Sequence, residues 1–243
     1  MLLNSIFTLI RGGSVDPIDV VVQILATLMI ILLVLPIHEF AHGWMAHKLG
    51  DPTAKHAGRL TFNPLASVDP LGAAALLLVG FGWGKPVPVN PLYFRNRRRG
   101  MALTALAGPV SNLLAAFVAS FLNNLLVFIV IRTGHYDVFL SGGFVYYILL
   151  FLQYFISISI SLAVFNLIPI PPLDGSKILM SFLPDRANFW IMNNQRYMMP
   201  LLLVLLYLDV LDKPISIVSS LLEWGIGFVT ELPFMLLSLI LGG

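Results

Sequence analysis

The feature that most constrains the fold is an uninterrupted run of 31 residues, 101–131, without one charged side chain. A membrane-spanning helix needs about 20 mostly apolar residues. Residues 142–168 form a second uncharged run, and residues 20–37 are apolar apart from Gln23, Thr27 and Pro36. Only 11% of the chain is charged, against roughly 25% in an average soluble domain. These runs therefore exclude a water-soluble globular class.

The sequence predicts an all-α polytopic membrane protein with about five to six transmembrane helices. We expect one membrane-embedded domain over residues 1–243. Its core helices are predicted at about 18–49, 101–131 and 143–183, and its peripheral helices at about 197–211 and 214–241. A formal net charge of +2 is too weak to indicate a nucleic-acid partner.

Between the first two long helices, the stretch near residues 58–90 is expected to form a short re-entrant or β-hairpin element. Leu71–Phe81 is apolar but, at 11 residues, too short to cross as a helix. Gly58–Phe62 and Trp83–Val89 are predicted as short strands. Pro86 and Pro88 place their missing N–H groups on one edge of such a strand, which confines it to a sheet edge.

The opposite edge of the predicted strand offers Val87 and Val89 for pairing. An exposed strand edge of this kind could take up an extended peptide substrate by strand addition. The alternative is a loop stiffened by proline.

Basic residues predict the orientation of the chain, because cytoplasmic loops are enriched in Lys and Arg. Four arginines precede the 101–131 helix, and three basic residues follow the first helix: Arg95, Arg97, Arg98, Arg99, Lys48, Lys55 and Arg59. Both ends are therefore expected on the cytoplasmic side of the plasma membrane.

The cytoplasmic end of the first helix carries His38-Glu39-Phe40-Ala41-His42. Histidines at positions i and i+4 lie on one helical face and can share a zinc ion. Glu39 lies beside them, where it can act as a general base. The alternative is a pair of interfacial histidines with a glutamate that reaches the surface. Ionisable groups inside a spanning helix are costly and usually functional, which favours the metal.

Catalytic zinc requires a third protein ligand, and the chain has no cysteine. The candidate is Asp174, which follows a helix expected to run from outside to inside and so reaches the same membrane side as His38 and His42. Without a metal, the Pro-Pro-Leu-Asp-Gly segment would be an ordinary turn. A glutamate ligand, Glu223 or Glu231, remains an alternative.

Five segments resemble the site-2 protease family of intramembrane zinc metalloproteases: HEFAH, GRLTFNPLASVDPLG, GWGKPVPVNP, AGPVSN and NLIPIPPLDG. The resemblance covers residues 38–175. It implies that His38, His42 and Asp174 bind one zinc ion, that Glu39 is catalytic, and that Asn166 lies near the substrate or the oxyanion. The chain has no room for the PDZ or CBS domains of many members, so it resembles the minimal branch. Ser67 stands where related sequences often carry histidine.

Small residues form two rows along the 101–131 helix: Ala107, Ser111, Ala115 and Ala119 in one, and Gly108, Asn112, Ala116 and Ser120 in the other. Such rows let helices approach closely in lipid. We therefore expect this helix to be central and packed against the helix with the two histidines. Asn112 either reaches the site or serves only packing.

The predicted function is that of a zinc-dependent endopeptidase that cleaves transmembrane or membrane-associated proteins near the cytoplasmic side. The alternative is a divalent-metal transporter or sensor that uses the same His/Asp cluster. A transporter would need polar ligands along a path through the membrane, whereas the two longest helices are uncharged. The sequence makes no prediction about the oligomeric state.

Overall fold

The computed structural model describes residues 12, 14–79, 82–136 and 143–240. The helices are α1 (Pro17–Met29), a π-helical turn (Ile30–Val34), α2 (Leu35–Lys48), α3 (Thr53–His56), α4 (Pro64–Ser67), α5 (Pro70–Val79), a 3-10 turn (Pro91–Tyr93), α6 (Arg97–Thr133), α7 (Phe144–Asn166), α8 (Asp174–Phe182), α9 (Asp185–Asn193), α10 (Gln195–Tyr207) and α11 (Asp212–Ile240). The all-α prediction is confirmed.

The first long helix runs without a break through α1, the π-helical turn and α2. Asp16 caps its start by accepting a 2.8 Å hydrogen bond from the backbone N–H of Ile18, and Pro17 occupies the first helical position, where its missing N–H costs nothing. The π-helical turn ends at Val34, two residues before Pro36, which has no N–H for the helical ladder. Helical irregularities of this kind are frequent at functional sites, and this one lies just before the HExxH sequence.

The central element is α6, a 37-residue helix that packs against α2, α7, α8 and α11. The Asn96 side chain caps its start by accepting from the backbone N–H of Arg99 at 3.0 Å. Gly134 ends it with φ +72°, a left-handed conformation that favours glycine. The row of Gly108, Asn112, Ala116 and Ser120 is buried throughout. The prediction of a central helix packed against the histidine-bearing helix is confirmed.

Four helices among the described residues are long and apolar enough to span a membrane: Pro17–Lys48, Arg97–Thr133, Phe144–Asn166 and Asp212–Ile240. Three of them begin and end within four residues of the segments predicted at 18–49, 101–131 and 214–241. The segment predicted at 143–183 forms two helices, α7 and α8, separated by residues 167–173. The predicted 197–211 helix is present as α10 but has only 13 residues, so the count of five to six spans stays a prediction. The short apolar stretch at 71–81 forms α5; Gly80 and Phe81 lie outside the described residues.

The prediction of strands at Gly58–Phe62 and Trp83–Val89 is wrong. Within the described part of the chain there is no strand, only an isolated antiparallel bridge between Val68 and Gly84. The physical reason is that other groups take the hydrogen bonds of the second segment. Lys85 donates its N–H to the Ser67 carbonyl at 2.7 Å and accepts from Arg59 at 2.6 Å. The segment therefore has no continuous partner strand.

A polar cluster joins α6 to α11 inside the predicted membrane region. The hydroxyls of Ser120 and Thr230 lie 2.8 Å apart, and the Asn124 amide donates to the Thr230 hydroxyl at 2.9 Å. Hydrogen bonds between spanning helices contribute about 0.6 kcal/mol on average and up to about 1.7 kcal/mol. This cluster therefore links α11 to the central helix through polar contacts.

We expect Asn124→Leu to lower the free energy of unfolding by about 1 kcal/mol, because it removes the amide that bonds Thr230. Denaturant unfolding of the detergent-solubilised protein measures the change. The neighbouring Asn123→Leu is the matched control, since the structure gives Asn123 no hydrogen bond within the described residues and its Oδ1 is buried and unpaired. Equal destabilisation by both variants would contradict a role for the cluster.

Candidate metal centre

The two histidines of α2 bring their Nε2 atoms together on one helical face. These atoms lie 3.0 Å apart, and the rings meet edge to face with centroids 4.6 Å apart. Both residues are buried. The i, i+4 spacing predicted from the sequence therefore gives a convergent pair of ring nitrogens.

Asp174 completes the cluster from α8. Its Oδ2 lies 2.9 Å from His42 Nε2 and 3.2 Å from His38 Nε2. A side chain in place of Gly175 would overlap the backbone carbonyls of Leu167 and Ile168. Glycine at this position thus lets the start of α8 approach the backbone of residues 167–168 closely, and the preceding aspartate faces the histidines.

A backbone carbonyl of α6 fixes the His42 ring. The Nδ1 of His42 lies 2.7 Å from the Thr104 carbonyl oxygen, which can only accept, so Nδ1 carries the proton. In a neutral imidazole, Nε2 then presents a lone pair. Metal-binding histidines are typically oriented by such a bond from the other ring nitrogen.

The donor set of this cluster fits a zinc ion. Two imidazole nitrogens and one carboxylate oxygen lie within 3.2 Å of one another in a buried place. Electron pairs this close repel unless a cation lies between them. Zinc binds nitrogen and oxygen at about 2.0–2.2 Å, which separates neighbouring ligand atoms by roughly 3 Å. His38, His42 and Asp174 could therefore hold one zinc ion with a coordination position left for catalysis.

The two oxygens of Asp174 have different partners. Oδ2 faces the histidines, and Oδ1 accepts a 2.9 Å hydrogen bond from Lys177, one helical turn further along α8. The positive charge of Lys177 beside Oδ1 favours the ionised form of this carboxyl, which is the form that a metal ligand needs.

The carboxylate of Glu39 contacts the backbone of the segment 82–90. Its Oε2 accepts a 3.0 Å hydrogen bond from the backbone N–H of Val87. A side chain in place of Gly84 would come within 3.1 Å of the other oxygen, Oε1. Asp51, fully buried, accepts a 2.7 Å hydrogen bond from the Asn90 N–H and so fastens the end of the segment.

A cavity of about 540 Å³ opens beside the cluster, and His38, Glu39, His42 and Asp174 all line it. Of the other predicted site residues, Val87, Val89 and Asn166 line it as well. The Asn166 amide donates to the Leu162 carbonyl at 2.9 Å. Asn112 is fully buried and does not line the cavity.

The positions of these side chains also bear on two alternatives, namely a glutamate as the third ligand and a metal transporter or sensor as the function. Glu223 and Glu231 are exposed on α11 and do not belong to the cluster. Among the residues that the structure describes, His38, His42 and Asp174 form the one group of side chains suited to hold a metal ion. Nothing favours a transporter.

Sequence reasoning missed three features of the site. The Thr104 carbonyl is a backbone group, so its role cannot be recognised from the residue type in the sequence. Gly108 was assigned to close packing in general, whereas a side chain there would overlap the His38 and His42 rings. Lys177 could have been found from its spacing, because a residue three positions after Asp174 on a helix lies on the same face.

The fold and the site together define a membrane-embedded metalloprotease, and comparisons with known proteins agree. The model of peptidase family M50 matches residues 140–208. YwhC of Bacillus subtilis, named as a zinc metalloprotease, is 38% identical over 168 residues, which cover 69% of this chain and 74% of that protein. Rip2 of Mycolicibacterium smegmatis, also named as a zinc metalloprotease, is 29% identical over 68% of this chain and 60% of its own length. No solved structure gives a significant match.

The chain belongs to peptidase family M50, consistent with the resemblance to the site-2 proteases. It is a multi-pass membrane protein and a zinc-dependent protease, and zinc is its cofactor. Nothing in the family match favours any other class of function.

We expect Gly108→Ala to weaken zinc binding about tenfold or more, because the new methyl group displaces both histidine rings. Competition with a zinc chelator measures the affinity. Gly225→Ala is the matched control, since a methyl group there meets nothing within 4 Å and both changes favour helix formation equally. Unchanged zinc affinity in Gly108→Ala would contradict the metal site.

Proposed function

We propose that His38, His42 and Asp174 bind the zinc ion and that Glu39 is the general base of peptide-bond cleavage in membrane proteins. The observation that carries this proposal is the convergence of three buried ligand atoms within 3.2 Å. They lie beside a cavity that Glu39 also lines. A metal, a base and room for a peptide are the requirements of a metalloprotease.

The chain's own residues divide the chemistry between them. When bound, zinc supplies a Lewis acid that activates water and polarises a carbonyl. Glu39 takes the proton of the attacking water on a carboxylate oxygen and later passes it to the leaving amine. The Val87 N–H holds Oε2 and so leaves Oε1 for this transfer. Thr104 keeps His42 in the tautomer that presents Nε2 as a ligand.

The substrates we propose are transmembrane or membrane-associated proteins whose chain unwinds locally in the cavity. Val89 and Asn166 line that cavity and are proposed to contact the substrate. Val87 orients Glu39 instead of pairing with the substrate, because its N–H is already bonded. Asn112 is proposed to serve packing, since it is buried away from the cavity.

We place the active site on the cytoplasmic side of the plasma membrane. His42 precedes Lys48 by six residues, about 9 Å along the helix. Arg97, Arg98 and Arg99 begin α6 on the same side of the metal centre. Cytoplasmic loops are enriched in such residues, and water reaches the cavity over this short depth. Residues 1–243 are proposed to form one membrane-embedded domain.

We expect Glu39→Gln to abolish cleavage, with a loss of about 10²-fold or more, because the general base is removed while all three ligand groups remain. Zinc content stays equal to that of the wild type. Membrane fragments from cells with either protein, compared by proteomics, identify the affected substrates, and elemental analysis gives the zinc content. Equal turnover by both proteins would remove Glu39 from the mechanism.

We expect Asp174→Ala to lower the zinc content to the level of His42→Ala, because two ligands leave the ion under-coordinated. Elemental analysis of purified protein measures the change. Asp212→Ala, which removes an exposed carboxylate from the first turn of α11, is the control. Full zinc content without Asp174 would point to Glu223 or Glu231 as the third ligand.

A further inference from the structure

A second, smaller cavity opens beside the catalytic one. It measures about 180 Å³ and is lined by three cations, two methionines and two polar residues: Arg97, Arg98, Lys177, Met101, Met180, Ser181 and Asn188. No Asp or Glu within the described chain lines it. It shares Met101 and Lys177 with the catalytic cavity, so a chain in the larger cavity can extend into the smaller one without leaving the protein surface.

Two helices define the path between the cavities. On α6, Thr104, Met101 and Arg97 lie on one face, at spacings of three and four residues. On α8, which packs against α6, Asp174, Lys177 and Ser181 do the same. Both rows begin at the metal centre and end at the small cavity. The two ends of each row are seven positions apart, about 10 Å along the helix, which equals about three residues of an extended peptide.

The charges of the small cavity favour an anion. Lys177 is bonded to Asp174 at 2.9 Å, and Arg98 forms a 2.6 Å ion pair with the exposed Asp185. Arg97 has no hydrogen bond or ion pair with residues 14–79, 82–136 or 143–240, so its guanidinium is available. A planar guanidinium matches a carboxylate in two parallel hydrogen bonds. The unpaired cation of the lining is therefore suited to a carboxylate.

We propose that the small cavity is a specificity subsite for an acidic substrate side chain, three to four residues from the cleaved bond, with Arg97 as its cation. This inference rests on the proposed proteolytic function and names the substrate class that the site prefers. An anionic lipid headgroup is the competing occupant. The substrate is favoured because two residues of the subsite also line the catalytic cavity.

The test is a cleavage profile of the zinc-loaded protein, residues 1–243, on solubilised membrane proteins, with the new chain ends read by mass spectrometry. We expect Asp and Glu to exceed Asn and Gln about fivefold at the third or fourth residue from the cut, on one side of it. Arg97→Glu should reverse this preference toward Lys and Arg at the same position. Arg99→Glu is the matched control, because Arg99 is exposed on the same helical turn but lines neither cavity.

The outcomes separate the two proposals. Cleavage that depends on Glu39 but shows no acidic preference would overturn the subsite and leave the proteolytic function standing. Absence of all cleavage by the wild type would overturn both. The lipid occupant is tested in nanodiscs of phosphatidylcholine with or without phosphatidylglycerol. A rate that depends on phosphatidylglycerol and on Arg97 but not on Arg99, with an unchanged profile in Arg97→Glu, would assign the cavity to lipid and overturn the subsite.

Discussion

The structure depends on one electrostatic constraint: three electron-pair donors converge within 3.2 Å in a buried place. Two imidazole nitrogens and a carboxylate oxygen need a shared cation to stay this close, because their lone pairs repel one another. A divalent cation turns this repulsion into binding energy, and the binding energy of a structural or catalytic metal contributes directly to folding. The proposed metal centre would thereby join α2 to α8 across 136 residues of sequence.

That convergence places strict demands on the helix between them. Because α6 packs against both α2 and α8, any bulk at its contact with the rings would push the ligands apart. Gly108 removes that bulk, and the Thr104 carbonyl, one turn away, supplies the acceptor for His42 Nδ1. This stretch of α6 therefore has two roles. Gly108 leaves room for the two rings to pack closely, and the Thr104 carbonyl oxygen orients the His42 ring. Close approach in lipid relies on small residues of this kind.

Much of this architecture could be predicted from the sequence, and the failures have physical causes. Long uncharged runs predict the long helices because lipid tolerates no unpaired backbone, and the i, i+4 histidines predict a shared ligand face because helix geometry is regular. Their meeting with Asp174 followed from membrane sidedness. The strand at Trp83–Val89 was predicted wrongly because alternating prolines indicate an edge, but they do not specify whether backbone or side chains supply the partners. The role of Thr104 could not be predicted, since a carbonyl is common to every residue.

The segment around Val87 shows why that failure is informative about the site. Pro86 and Pro88 have no N–H, so Val87 carries the single backbone donor of these three residues. That donor binds Glu39 Oε2 at 3.0 Å, and neither proline can compete with it for the carboxylate. In a β-strand, the same N–H would donate to a backbone carbonyl of the neighbouring strand. The prolines therefore keep one N–H free for the proposed base and fix which carboxylate oxygen it engages. Because Asp51 and Ser67 fasten the segment on either side, the orientation of Glu39 is set by the rigid backbone around it.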